Sequence, residues 1–176
     1  YIRLSKKIFL LKMLGGWERL SFKANDMWID RARTLCEKLV AEKFNDEYNC
    51  SPMEVFSQLV NGKNLKVLLL GKHFKKEEFK CFTGVTYVPL GERPHPKFQE
   101  DSFKAVDGTP CTLTGDKREK IKNAVKTYFK GDKDFEPVKF FENALDGANV
   151  YVLKVGTDFV GVFECGNEMT VDCVVR

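Results

Sequence analysis

The C-terminal stretch from Asn149 to Arg176 constrains the fold more than any other part of this chain. It reads NVYVLKVGTDFVGVFECGNEMTVDCVVR, runs rich in Val, Phe and Tyr divided by Gly156-Thr157-Asp158 and by Gly166-Asn167. Short β-branched and aromatic runs between glycine turns predict a three-stranded antiparallel meander. In its last run Met169, Val171, Cys173 and Val175 alternate with Thr170, Asp172 and Arg176, Val174 apart. That period of two places the first set on one face of the sheet. Phe159 to Cys165 holds a single charge, Glu164, which suits a central strand covered on both faces.

Helical signals precede the meander. Ile29, Ala32, Cys36, Leu39 and Val40 recur at spacings of three and four, predicting a helix over 26–44 capped by Asn25 or Asp26. Ser51-Pro52-Met53-Glu54 has the form of a capping box with proline at the first helical position. It predicts a helix with Val55, Phe56, Leu59 and Val60 on its buried stripe, ended by Asn61-Gly62. Asp116-Lys117-Arg118-Glu119 forms a second such box, opening a helix through Phe129 that stops at Gly131. Tyr1 to Leu14 mixes Arg3, Lys6, Lys7 and Lys12 with large apolar residues and reads as a helical arm before Gly15-Gly16.

Between these lie Leu65–Leu70 and Cys81–Leu90, expected as strands, joined by a polar turn or short helix over 72–80. Gly91 to Lys97 is an extended proline loop, because each proline biases its predecessor away from helix. Phe103–Val106 and Thr109–Leu113 are expected to pair around Asp107-Gly108, a strong turn dipeptide. The fold class expected is therefore α+β. A helical N-terminal arm (1–62) packs on an antiparallel sheet (63–176) that carries one inserted basic helix and ends in the meander, the two parts forming one structural unit.

The longest apolar runs fall far short of the ~20 residues a membrane helix needs. With two His, His73 and His95, and six Cys in no Cys-x-x-Cys pair, no metal site is expected. No cofactor motif is present either; Gly71-Lys72 lacks the earlier glycine and the Ser or Thr of a phosphate loop. The dispersed cysteines read as free thiols of a reducing, cytoplasmic compartment, secretion with three disulfides being the alternative. The chain opens at Tyr1 rather than Met, which suggests a fragment or a product cut from a longer protein.

Net charge is +4, and part of it is organised. Arg118, Lys122, Lys126 and Lys130 recur every four residues and stack along one helix face. Such a stripe suits nucleic acid without sequence readout, RNA included, or an acidic protein. Arg93, Pro94, His95 and Pro96 form a candidate partner-docking loop. A cysteine enzyme built on Cys81 with His73, or one built on Asp132, Asp134 and Glu136, would need mutual geometry that the sequence does not display. No catalytic residues are assigned.

Ala144 to Glu168 resembles the central strands of a gelsolin-type repeat, without the tryptophan and long helix of that family. The Phe-, Val- and Cys-rich tail is similar to hairpins of coronavirus replicase non-structural proteins, which are cut from polyproteins. Neither likeness carries a functional motif, and neither assigns a residue. The expected function is a non-enzymatic interaction domain that binds an anionic or protein partner through the basic helix. The alternatives are a viral non-structural domain acting on host factors or RNA, a secreted disulfide-linked module, and a cysteine-dependent enzyme.

Overall fold

The computed structural model describes residues 16–20, 27–91 and 95–175. The expected arm over 1–14 and the cap at Asn25 or Asp26 lie outside them. The elements run β1 (Glu18–Leu20), α1 (Met27–Phe44), β2 (Tyr48–Val60), β3 (Gly62–His73), β4 (Phe79–Val88), β5 (Lys97–Asp107), β6 (Thr109–Pro110), α2 (Gly115–Phe129), β7 (Glu136–Leu145), β8 (Ala148–Val155), β9 (Asp158–Cys165) and β10 (Glu168–Val175). Two five-stranded antiparallel sheets result, ordered β1-β2-β3-β4-β5 and β10-β9-β8-β7-β6. The expected α+β fold with a helical N-terminal arm is thus corrected. The protein is mainly β, and among the described residues it has only two helices.

Both sheets are covered on both faces, and the strands show why. In β3, Leu68 and Leu70 enter a core shared by the two sheets, while Leu65, Val67 and Leu69 meet α1. In β9, Phe159 and Phe163 enter the shared core while Val160 and Val162 meet α2. Alternate side chains thus feed two different apolar layers. The order is helix, sheet, sheet, helix. The sheets pack tightly at Gly161, where an added Cβ would lie 3.0 Å from Met53 Cε and 3.1 Å from Leu70 Cδ2 of the other sheet.

The helix expected over 26–44 is present over Met27–Phe44, with Ile29, Ala32, Cys36, Leu39 and Val40 all buried. The three C-terminal strands form as well, and β9 is the covered central one. Their alternation is broken by a bulge between Val171 and Cys173. Met169 and Val171 therefore face α2, whereas Cys173 and Val175 face the other sheet.

Two turn signals are overruled. The Ser51–Glu54 box opens no helix, since it lies inside β2 and pairs with β3. A capping box stabilises by about 1 kcal/mol, less than burying Met53, Val55 and Phe56 in two cores, at roughly 1.5–3 kcal/mol each. Pro52 is accommodated at a bulge between Pro52 and Glu54. Asp107-Gly108 joins no hairpin either. β5 pairs with β4 and β6 with β7, so Gly108 carries the chain from one sheet to the other. A Cβ there would meet the Phe141 ring at 2.9 Å.

Candidate functional site

One end of the first sheet is a row of turns. Glu18 pairs with Ser57, which sets Gly16 and Trp17 beside the tip of the β2–β3 hairpin. The tip is Gln58-Leu59-Val60-Asn61-Gly62, with Val60 paired directly to Gly62. Lys63 pairs with Val88, so Pro89 and Leu90 leave β4 at the same end. The row is rigid. Tyr87 Oη donates to the Asn61 carbonyl, and Gly62, at φ +113°, packs so closely that a Cβ would lie 2.5 Å from Val88 O.

This edge is apolar and wet. Leu59 is 77% exposed, Val60 48% and Leu90 74%. The other large apolar side chains of comparable exposure, Met27, Phe74 and Tyr128, belong to other elements. Leu59 and Val60 were expected on the buried stripe of a helix, so the sequence reading missed them. The signal was present in two large apolar residues directly before Asn-Gly, the strongest hairpin dipeptide.

Behind the edge lies a buried ionic cluster. Arg19 of β1 binds the Glu54 carboxylate in β2 through Nε at 2.8 Å and through Nη2. Its Nη2 lies 3.8 Å from Asp172 Oδ1 in β10. Thr170 Oγ1 donates to Asp172 Oδ1 at 2.8 Å, and Asp172 Oδ2 is buried without a partner. Burial first, and then the neighbouring Glu54 carboxylate, push Asp172 up to about 9. The cluster ties the strand leading into the apolar edge to the second sheet.

Arg118, Lys122, Lys126 and Lys130 are all exposed on or just after α2. Two of them have partners of their own. Arg118 stacks over the Phe135 ring at 5.1 Å, and Lys126 Nζ lies 3.8 Å from Asp132. Lys130 adopts the left-handed conformation expected of Gly131, and it caps the helix. At the other end Thr114, not Asp116, holds the N-cap position, without a side-chain hydrogen bond. Lys117, itself exposed, pairs with the buried Glu164, which also accepts from Asn149 at 2.8 Å and Tyr151 at 3.2 Å. Burial would raise the Glu164 carboxyl, but these partners outweigh it and hold it below its ordinary range.

Of the proline loop, His95 is exposed and Pro96 half-buried; Arg93 and Pro94 lie outside the described residues. Cys81 is fully buried and sits opposite Leu70 in the ladder, while His73 pairs across to Tyr48. Burial pushes the Cys81 thiol well above its ordinary value, the reverse of what a nucleophile needs. Among the described residues no three His, Cys, Asp or Glu side chains gather as a metal site would require. No helix among them is long and apolar enough to cross a membrane.

Comparison with protein-family models, characterised proteins and solved structures finds no significant match.

Proposed function

We propose that this protein is a non-catalytic interaction module whose row of apolar turns plugs an elongated cleft on a partner protein. The observation that carries this is the exposure of Leu59, Val60 and Leu90 on turns locked together by Gly62 and Tyr87. Exposed apolar groups gathered on a rigid support mark a binding surface, whereas scattered ones do not. The shape is specific too. Five strands side by side make an edge roughly 19 Å long and one sheet thick. A cleft of that length holds about six residues of extended polypeptide. Gln58 to Gly62 and Pro89 to Leu90 contain no nucleophile and no titratable side chain. The edge is equipped to occupy such a cleft rather than to react in it.

Endopeptidases are the first partners to test, because they hold extended chains in clefts of this kind. The protein is titrated against members of several catalytic classes while cleavage of a short peptide is followed. Competitive inhibition of at least one is expected, weakened about 100-fold by Leu59→Asp/Val60→Asp, which removes two central anchors. Both side chains are exposed, so the unfolding temperature should hold. Absence of inhibition in every class, or equal inhibition by the double variant, refutes the reading.

A further inference from the structure

The connection after α2 does not leave the helix but turns back along it. Asp132 lies by Lys126, and Phe135, three residues on, lies under Arg118, two turns nearer the helix start. Glu136 then pairs with Lys154 at the end of β8. The path encloses a basin of about 710 Å³ between α2, the connection and the β8–β9 turn. Four cations line it from three separate segments: Arg118 and Lys122, Lys133, and Lys154. Three carboxylates, Glu119, Asp134 and Glu136, stand among them.

We propose that this basin binds a compact, multiply charged phosphate-bearing ligand. Its volume falls within the range of small-molecule sites, roughly 300–1,000 Å³. A linear polyanion needs a continuous track, but here the cations converge on one hollow, and two members of the linear stripe, Lys126 and Lys130, are outside it. The carboxylates sharpen the choice of ligand. A monoanion gains little where three carboxylates stand among four cations. A group carrying three or more charges in a small volume engages several of the cations at once and outweighs those carboxylates. This site is independent of the apolar edge.

Calorimetric titration with inorganic tripolyphosphate, at about 50 and 200 mM salt, tests it. Saturable one-to-one binding is expected at the lower salt, at least about tenfold tighter than for orthophosphate and weakened at the higher salt. Lys122→Glu/Lys154→Glu should weaken it by about tenfold or more, and Lys126→Glu/Lys130→Glu by less than about threefold. All four lysines are exposed, and an unchanged unfolding temperature shows that each variant is folded. The proposal fails if no saturable binding occurs at low salt, or if the two double variants lose equally. It also fails if single-stranded RNA competes through Lys126 and Lys130, which would make the helix a polymer track.

Discussion

Two buried carboxylates share one guanidinium where β1 approaches β10. Glu54 has the two-point contact with Arg19, and Asp172 is left with an unpartnered buried oxygen. Glu168 adds a further negative charge near Arg19. A folded-state value raised above the unfolded one means that the native protein holds the Asp172 proton longer. Stability therefore falls as pH climbs from the ordinary aspartate range toward about 9. Asp172→Asn removes that cost while keeping the shape. The variant should melt a few degrees above the parent at pH 8 and level with it at pH 4, as thermal scans at both values would show. A loss at pH 8 would mean that Asp172 is ionised and paired. Glu54→Gln acts oppositely. It strips a mostly buried guanidinium of its main partner and should cost about 3 kcal/mol in denaturant titration. None of this was readable from the sequence, because Arg19 meets Glu54 only through the pairing of β1 with β2, and Asp172 joins them only through packing of one sheet on the other.

At the scale of elements, the β2–β3 hairpin depends on a residue with no side chain. Gly62→Ala places a methyl against Val88 O in backbone that L residues avoid. It should cost about 1–3 kcal/mol and splay the tip, so cleft binding should weaken even where the variant remains folded. Parent-like stability and binding would show that the tip tolerates movement. α2 is pinned differently, by Lys117 on Glu164. The carboxyl is held low in the folded state, so its contribution is complete above the ordinary glutamate range and is lost as pH falls through the lowered value. Glu164→Gln should destabilise at pH 7 and converge on the parent near pH 3, which urea titrations at the two values would check. Which elements were legible depended on how local their signals were. α1 was readable because its apolar stripe, Ile29 to Val40, repeats every three to four residues over about three turns. The 51–54 box was misread because a capping motif is a short-range preference, and pairing with β3 together with burial of the strand outweighs it.

At the scale of the whole molecule, the two halves follow one plan. A strand, a helix and a four-stranded meander give β1-α1-β2-β3-β4-β5, and again β6-α2-β7-β8-β9-β10. β2 lies against β10 and, in the corresponding relation, β7 against β5. The equivalent turns nevertheless differ. The β7–β8 turn buries Leu145, and its Asp146 binds Lys66 at 2.6 Å, whereas the β2–β3 tip exposes Leu59 and Val60. Only the first copy presents an apolar edge. Because Met53, Phe56, Leu68, Leu70, Phe79 and Cys81 face the second sheet, residues 1–107 produced alone should not give a monomer that unfolds cooperatively. Sedimentation and denaturant titration test this, and a stable monomeric half would show that the shared core is dispensable.

Periodicity and turn chemistry alone determined α1, α2 and the strands β3, β4 and β8 to β10. These are local properties, written in neighbouring residues. Only the tertiary structure decided that β2 is a strand, that Gly108 changes sheets, that Arg118 and Lys122 share a basin with Lys133 and Lys154, and that Leu59 and Val60 stay in water. Each depends on which surface another part of the chain covers, and burial is a property of the assembled layers rather than of any residue's neighbours in sequence.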